Sequence, residues 1–383
     1  MDILFVTLSP IDATFSASFR NRAVIRGFIE LGHTVDILTL YPYDKSITVN
    51  EAHYSHGVNI IRLNKLGNQN KKDKISLVKK GRNNFLTKIV REMYHRVFPF
   101  DSSYFLLKKI NVNKIPKERY DIVISSSDPK TSHIAVKKLF DKGLTAEKWI
   151  QYWGDPLTLD MTSKLIYPKT LIKKIEFNII KHADKIIYVS PFTHIEQAKM
   201  FRNISEKMTY LPIPYEKEKV FPVTNNQKYI IGYHGFYMKS VRNIIPLYDA
   251  VNEMNDKVQL DIIGSSDLYL QSTKNVKVYP NTNKIHEFES NTNLFVVVLN
   301  LHGNQIPGKL YHLAATNRPI LVILDGEGKD EIRTHLESFE RFEFCENETE
   351  KIAVAIKRII KINKHNDPCT AISAKSISES FLC

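Results

Sequence analysis

Short apolar runs alternate with segments of helical periodicity along the chain, and this alternation restricts the fold more than any other feature. Residues 3–8 form the first run, apolar residues then recur at helical spacing up to Leu31, and residues 35–40 form the next run. We expect Ser16 or Ser18 to cap the intervening helix and Gly32 to end it in the left-handed conformation. A strand, a helix and a second strand in this order are typical of a βαβ unit.

The same order recurs in both halves of the chain. In the first half the pattern predicts further strands at 121–125, 149–152 and 185–189 and helices at 132–140 and 172–182. In the second half it predicts strands at 229–233, 259–264, 276–279, 294–298 and 320–323 and helices at 244–252, 284–290, 309–315 and 350–362. Strands that alternate with helices build parallel sheets covered by helices on both faces. We therefore predict an α/β protein with two doubly wound sheets.

Residues 211–226 separate the two series. They contain Pro212, Pro214 and Pro222, end on two asparagines, and follow neither the strand nor the helix period. A chain of 383 residues is also longer than one ordinary domain. The predicted organisation is an N-terminal domain at 1–212, a linker at 213–226, a C-terminal domain at 227–365 and a tail helix at 366–383.

The formal net charge is +13, and much of it lies between Arg62 and Lys109, where 13 basic residues accompany three acidic ones. Such a block predicts an anionic partner, which is nucleic acid, anionic lipid or a phosphate-bearing substrate, unless it is only a solvated surface. Between Val78 and Val97 apolar residues recur at helical spacing among the basic ones, which predicts a basic amphipathic helix. This helix either packs on its own domain or lies on a membrane surface.

The N-terminus and the cysteines bear on the cellular compartment. The N-terminal residues Met1-Asp2-Ile3-Leu4-Phe5-Val6 are mostly apolar and have no basic region, which favours a first strand over a signal peptide. No stretch approaches the ~18 consecutive apolar residues of a membrane span. Cys345, Cys369 and Cys383 lack metal-ligand spacing and are typical of free thiols in a reducing compartment. We expect a cytoplasmic protein.

Several common catalytic motifs are missing from the sequence. Neither half has G-x-G-x-x-G after its first strand or a Walker sequence, which disfavours nicotinamide dehydrogenases and P-loop enzymes. The sequence also lacks G-x-S-x-G, H-E-x-x-H and a cluster of cysteine and histidine ligands. We therefore expect neither a bound metal nor a cofactor.

The segment 304–321 carries the most specific signal. It follows the apolar run 294–299, and Pro307 and Gly308 stand where a helix is predicted to begin. The free backbone N–H groups of a helix start, together with the cation of Lys309, predict an anion-binding site. The alternative is an ordinary connection between a strand and a helix with a solvated lysine.

The same segment resembles the donor-site signature of the retaining nucleotide-sugar glycosyltransferases of family 4, particularly the branch that builds bacterial surface polysaccharides. Other motifs resemble that family in the same order along nearly the whole chain. They are residues 9–22 with 32–35, residues 125–129 and 152–156, residues 183–190, and residues 232–235 with Lys239 and Arg242. The resemblance implies the GT-B architecture, in which two Rossmann-like domains face each other across a cleft and the second holds most of the nucleotide.

The resemblance also implies roles for individual residues. Lys309, with Lys239 or Arg242, neutralises the diphosphate leaving group without a metal, and Asp155 lies near the reacting centre. The implied donor-binding residues are Gly235, Lys239, Arg242, Tyr279, Pro280, Asn304, Gln305, Ile306, Pro307, Gly308, Lys309 and His312. The implied acceptor-side residues are Ser16, Ser127, Asp128 and Asp155.

The implied reaction moves a hexose-type sugar from a nucleotide diphosphate carrier to a lipid-linked or saccharide acceptor in capsule, O-antigen or exopolysaccharide synthesis. The basic block would hold the enzyme on the inner face of the cell membrane. Two departures from the family keep alternatives open. Asn304 and His312 replace a pair of glutamates, and Gly154 stands where arginine is common. The alternatives are a non-catalytic relative, a nucleotide-sugar epimerase of the same fold and, on charge alone, a nucleic-acid-binding protein.

Overall fold

The computed structural model describes residues 1–13, 15–42, 58–63, 92–94, 96–160, 163–223, 226–282, 284–362 and 366–383. The chain divides into two compact units. The first consists of Met1–Glu216 and Ala374–Cys383, and the second of Lys217–Ser373. The segment predicted as a tail, 366–383, is thus shared between the units, and its last ten residues return to the first.

The first unit is built on a parallel sheet of seven strands in the order β3-β2-β1-β4-β5-β6-β7. The strands are β1 (Asp2–Val6), β2 (Thr34–Thr39), β3 (Val58–Arg62), β4 (Arg119–Ser126), β5 (Thr145–Trp153), β6 (Lys185–Tyr188) and β7 (Met208–Tyr210). The central strands are buried on both faces, which explains their continuous apolar runs. The chain reverses direction across the sheet between β1 and β4, so their carboxyl ends mark the topological switch point.

The described residues of the first unit include the helices α1 (Ser16–Glu30), α2 (Thr131–Phe140), α3 (Lys169–Ile180), α4 (Pro191–Met200) and α10 (Ala374–Leu382). Gly32 follows α1 with φ of 80°, as predicted. The predicted serine cap is wrong, because Phe15 occupies the N-cap position. The Ser18 hydroxyl instead donates to the Pro10 carbonyl at 2.9 Å, so it is engaged by the loop that leaves β1.

The second unit has a parallel sheet of six strands in the order β10-β9-β8-β11-β12-β13. The strands are β8 (Tyr229–His234), β9 (Val258–Ile263), β10 (Val276–Tyr279), β11 (Leu294–Val298), β12 (Ile320–Leu324) and β13 (Glu343–Glu346). The helices are α5 (Ile245–Asn252), α6 (Ile285–Asn291), α7 (Lys309–Leu313), α8 (Lys329–Glu337) and α9 (Thr349–Ile362). Both sheets therefore follow the Rossmann strand order, and the predicted doubly wound α/β architecture is confirmed.

The chain's last helix, α10, packs closely on α1. A Cβ atom at Gly27 would stand 2.0 Å from the Ala374 carbonyl oxygen and 2.2 Å from the Ser378 hydroxyl. That hydroxyl donates to the Val24 carbonyl at 2.8 Å. The ring of Phe381 is fully buried and meets the rings of Phe28 and Tyr152 edge-on. The glycine is therefore what lets the two helix backbones approach each other.

We predict that Gly27→Ala destabilises the first unit by about 1–3 kcal/mol, the usual cost of overpacking a tight contact. The added methyl group cannot be accommodated unless α10 moves away from α1. Urea unfolding followed by circular dichroism measures the change. Ser16→Ala is the matched control on the same helix, because Ser16 is exposed and its helix begins without a side-chain cap. Equal unfolding midpoints for the two variants would contradict the predicted contact.

Most of the predicted basic amphipathic helix lies outside the described residues, which omit 64–91 and 95. The two ends of the basic block differ. Arg62 is buried in an ion pair with Asp12 at 2.8 Å, each side chain being 4% exposed, and its guanidinium lies over the ring of Tyr41. Lys108 and Lys109 are exposed. Arg62 is therefore not available to an external partner. Among the described helices none is both long and apolar enough to cross a membrane.

Candidate functional site

The second sheet has its switch point between β8 and β11. Ligands of doubly wound sheets bind in the crevice outside the carboxyl ends of the strands at this point. Gly235 directly follows β8, and the segment 299–308 leads from β11 to Lys309 at the start of α7. The fold therefore brings together the Gly235 turn and the lysine that the sequence predicts for the donor site.

The Lys309 side chain lies across the end of β8. Its ammonium donates to the His234 carbonyl and stands 4.8 Å from the centre of the Tyr233 ring. Gly235 has φ of 127°, and a Cβ atom there would lie 2.5 Å from Nζ of Lys309. Glycine is thus needed at position 235 both for the backbone conformation and for the space that the ammonium occupies.

The Lys309 ammonium is a cation that has no partner of opposite charge in the part of the chain that the structure describes. Lys309 as a whole residue is half-buried, and desolvation of its enclosed ammonium together with the charge of Arg242 lowers the pKa of that group to about 7. Within the described residues no carboxylate lies within 4.0 Å of it. The negative charge of a bound anion would counteract both causes of the shift by attracting the ammonium, so the arrangement favours an anionic ligand.

Arg242 supplies the second positive charge. Its Nε donates to the Asn300 side-chain oxygen at 2.8 Å, and one terminal nitrogen lies 3.5 Å from the Phe236 carbonyl. Asn300 lies in the loop after β11, so this loop holds the arginine that belongs to the loop after β8. Lys239, in the same segment as Arg242, is exposed.

His234 lies at the same point. It belongs to the sequence motif 232–235, but no role was predicted for it. Burial and the nearby charge of Lys309 lower its pKa to about 3, so the imidazole is neutral. Its Nε2 is buried without a hydrogen-bond partner among the described residues. The signal that points to it is its place at the end of β8, directly before Gly235.

The remaining predicted donor residues line the loops around this centre. Pro307 is buried, Gly308 and His312 are half-buried, and Asn304 and Gln305 are exposed. A Cβ atom at Gly328 would lie 2.1 Å from the Asn304 side-chain oxygen, so Asn304 faces the loop after β12.

The other donor-side residues are more peripheral. Ile306 is half-buried, Tyr279 packs against the Phe288 ring at 4.9 Å, and Pro280 is exposed. Helix α7 spans five residues, which is shorter than the predicted 309–315. A helix dipole this short is small, so the lysine and the arginine provide most of the positive potential.

The first sheet has the corresponding switch point between β1 and β4. Ser127, after β4, has a buried hydroxyl that accepts the Gly154 N–H at 2.9 Å, which ties the loop after β4 to the loop after β5. Ser16, by contrast, is exposed at the first residue of α1. Of these two predicted residues, Ser127 supports the loops and Ser16 reaches the solvent.

Four charged groups surround Asp155 in this region. Lys130 bonds Asp128 at 3.2 Å and Asp160 at 2.9 Å. Asp155 is exposed, yet surrounding protein atoms displace enough water to raise its pKa, and the charges of Asp128 and Asp160 raise it further. Lys130 and Arg20 act in the opposite direction. In the described part of the chain no three acidic, histidine or cysteine side chains are grouped so as to hold a metal ion.

Arg20 occupies the space beside Gly154 that a larger side chain would need. Its Nη1 lies 2.9 Å from where a Cβ atom of residue 154 would stand. An arginine is therefore present at this place although position 154 itself is glycine. This arginine, Arg20, comes from helix α1, and the sequence motifs did not indicate that it would lie beside position 154.

A pocket of about 480 Å³ opens beside these loops, a size within the range of small-molecule sites. Its polar wall includes Asp101, Asp128 and Lys130, and its apolar wall includes Phe15 and Leu40. Within the described residues Lys130 is the only basic side chain on the wall, and it is already engaged by two carboxylates. The pocket therefore favours an uncharged ligand with hydroxyl groups over an anion.

Beneath the same loops lies the buried carboxyl group of Glu176 on α3. Desolvation raises its pKa to about 7, against hydrogen bonds from Thr158 and Gln197. Its Oε2 accepts the Thr158 N–H at 2.7 Å. Gln197 in turn donates to the Thr158 hydroxyl at 2.8 Å and accepts from the Tyr188 hydroxyl at 3.2 Å. This network fixes the loop that carries Asp155 from below.

Solved structures similar to this chain span nearly its full length. HepE from Anabaena in complex with UDP-glucose has a TM-score of 0.52 at 11% identity, covering 99% of this chain and 95% of that one. The catalytic domain of starch synthase IV from Arabidopsis thaliana, bound to ADP and acarbose, has a TM-score of 0.60 at 10% identity, covering 100% and 97%. A UDP-N-acetylglucosamine 2-epimerase has a TM-score of 0.51 at 10% identity, covering 100% and 93%.

These similarities establish the fold. The chain has the two-domain GT-B architecture. At such identities the comparison carries no information about the reaction, and the neighbours include both a starch synthase and an epimerase. The chain matches no protein-family model and no curated protein sequence.

Proposed function

We propose that the protein is a glycosyltransferase that moves a sugar from a nucleoside diphosphate carrier to an acceptor hydroxyl group. The observation that carries the proposal is the enclosed Lys309 ammonium beside Arg242, without a carboxylate partner in the described residues, at the switch point of a Rossmann-type sheet. A diphosphate is the ligand that such a pair of cations favours. The solved neighbours in complex with UDP-glucose or ADP are consistent with this.

The proposed chemistry follows from the charge of the leaving group. When the glycosidic bond breaks, the nucleoside diphosphate gains negative charge, and a fixed cation stabilises this charge more in the transition state than in the ground state. Lys309 and Arg242 provide that cation pair, so a bound metal is not required for the role. We propose that transfer retains the anomeric configuration, as the resemblance to family 4 implies.

The remaining donor contacts are proposed by position. Tyr279 and Pro280 would lie near the base, since Tyr279 ends β10 and Pro280 follows it. Asn304, Gln305 and the 306–308 segment would surround the sugar and phosphates. A neutral ring nitrogen of His312 would accept a hydrogen bond from a ribose hydroxyl. Lys239 and Gly235 would complete the phosphate-binding loop.

On the acceptor side we propose that Asp155 and Asp128 accept hydrogen bonds from the acceptor's hydroxyl groups. The acceptor would be a saccharide or a lipid-linked sugar in the synthesis of a bacterial surface polysaccharide, and the transferred sugar a hexose. The exposed Lys108 and Lys109, with the basic residues outside the described ranges, would hold a cytoplasmic enzyme on an anionic membrane surface.

Nucleotide binding tests the proposal directly. We expect UDP, GDP or ADP to raise the melting temperature of the protein, because the ligand binds the folded state and not the unfolded chain. At 100 times its Kd the ligand adds about 2.7 kcal/mol to the unfolding free energy. Differential scanning fluorimetry with each nucleotide measures the shift, with the matching nucleoside as control, since it lacks the phosphates.

The same assay separates the alternatives. Nucleotide binding followed by sugar transfer to a glycoside acceptor supports the transferase, and a change of configuration in the free nucleotide sugar supports an epimerase. If no nucleoside diphosphate shifts the melting temperature, the donor site proposed here does not exist.

A further inference from the structure

Arg20 is a buried cation at the acceptor side of the first unit. Only 5% of its surface is exposed. Within the described residues its guanidinium forms no ion pair with a carboxylate, and its Nε has no hydrogen-bond partner. An arginine stays protonated in proteins. A buried charge without a counter-ion is costly, so its retention here needs a reason.

The guanidinium lies where the loops after β4 and β5 meet. One terminal nitrogen donates to the Ser127 carbonyl and stands 3.4 Å from the Ser126 hydroxyl. The group also lies 4.7 Å from the centre of the Tyr152 ring. Its other terminal nitrogen abuts Gly154, where a Cβ atom would come within 2.9 Å. A single side chain from α1 thus contacts both loops.

Each of those loops carries a carboxylate one residue further on. Asp128 follows Ser127 and Asp155 follows Gly154. The groups that act on Asp155 are the negative charges of Asp128 and Asp160 and the positive charges of Lys130 and Arg20. Lys130 is already paired with Asp128 and Asp160. Lys130 and Arg20 both offset the charge of Asp155, and of the two only Arg20 has no carboxylate partner of its own among the described residues.

We propose that Arg20 is a positioning residue that holds the Ser127–Asp128 and Gly154–Asp155 loops together beside the Asp155 carboxylate, and that Gly154 is the residue that leaves room for it. The role of Asp155 in binding the acceptor rests on the proposed function. The contacts of Arg20 and its effect on the pKa of Asp155 are independent of the proposed function.

The test compares four variants with the unchanged protein. Arg20→Met removes the charge and keeps most of the apolar stem. Arg20→Lys keeps the charge and loses the planar fork. Gly154→Ala leaves the arginine in place but displaces its guanidinium. Arg119→Met is the matched control, since Arg119 pairs with Glu147 in an exposed ion pair on β4 of the same unit.

The first readout is the carboxyl ¹³C titration of Asp155, assigned with Asp155→Asn. We expect Arg20→Met and Gly154→Ala to raise the pKa of Asp155, because a positive charge beside the carboxylate is lost or moved. Arg20→Lys should raise it less, and Arg119→Met should leave it unchanged. Should Arg20→Met not fold, Gly154→Ala and Arg20→Lys still decide the question.

The second readout is sugar transfer. We expect Arg20→Met to lower kcat by about 100-fold, as small misplacements of reacting groups do, while Kd for the nucleotide stays the same. Identical Asp155 titrations in the unchanged protein, Arg20→Met and Gly154→Ala would overturn the inference. A failure of all nucleotides to bind would overturn the proposed function, and the titration would still decide the role of Arg20.

Discussion

Lys309→Met is expected to lower turnover by about 100-fold or more and, at the same time, to raise the melting temperature of the ligand-free protein. The loss of turnover follows because the variant has no cation to stabilise the charge on the leaving diphosphate, a contribution comparable to that of an oxyanion-hole donor. The gain in stability follows because the enclosed ammonium is desolvated and lies near Arg242, as its lowered pKa of about 7 records.

The stability effect has a defined dependence on pH. The folded-state pKa of Lys309 lies below its unfolded value, so between pH 7 and about 10.4 the unfolded chain binds more protons than the folded one. Over that interval the ligand-free protein should gain stability as pH rises, and the advantage of Lys309→Met should shrink. Calorimetric melting at several pH values measures both trends.

Lys257→Met is the matched control for this prediction. Lys257 is exposed and directly precedes β9, at the opposite end of the same sheet from the switch point. The substitution should change neither nucleotide affinity nor turnover. A Lys309→Met protein that binds nucleotide like the unchanged protein would show that Lys309 does not contact the donor.

The interior of both sheets could be predicted from the sequence because buried parallel strands have a strong local signal. β11 and β12 are apolar at every position and buried at every position, and they appear within one residue of the predicted bounds. The strands that sequence patterns missed are β3, β7 and β13, all at sheet edges. An edge strand has few buried positions, as the half-exposed pattern of β3 shows, so its sequence resembles that of a loop.

Helix boundaries were less predictable for a different reason. A serine near a helix start can satisfy its hydroxyl in several ways, and Ser18 does so with the Pro10 carbonyl rather than with its own helix. Helix α4 was missed although Ser190 caps it and Pro191 begins it, because few of its residues are buried and the apolar period is weak. Capping is decided by contacts that local patterns do not contain.

The residues of the proposed donor centre were selected on two grounds. Lys309 was predicted from the helix start after Pro307 and Gly308, Gly235 and Arg242 from the resemblance, and the fold places all three at one switch point. The absence of a carboxylate beside the Lys309 ammonium in the described part of the chain could not be predicted, because it depends on which carboxylates the fold leaves distant. The contact of Arg20 with Gly154 is equally non-local, since it joins α1 to the end of β5 across more than one hundred residues. A count of charges along the sequence likewise does not show which charges are exposed: Arg62 belongs to the basic block but is buried in an ion pair with Asp12.

Donor affinity is expected to fall steeply as pH rises above 7, and this follows from the same lysine. In the free protein Lys309 loses its proton with a pKa of about 7, whereas a bound diphosphate stabilises the protonated form. Binding above pH 7 must therefore take up a proton, and Kd should increase by up to tenfold per pH unit, or about 50-fold between pH 7, where half of the free protein is protonated at this lysine, and pH 9. A nucleotide sugar is the suitable probe, because both of its phosphates are esterified and stay ionised over this range.

Titration calorimetry at pH 8 in two buffers of different protonation enthalpy counts the protons directly. Lys309→Arg is the matched variant, since its guanidinium stays charged and its affinity, even if lower, should not vary with pH. If the unchanged protein takes up no proton, or if Lys309→Arg shows the same pH dependence, then Lys309 is not the group whose titration controls donor affinity.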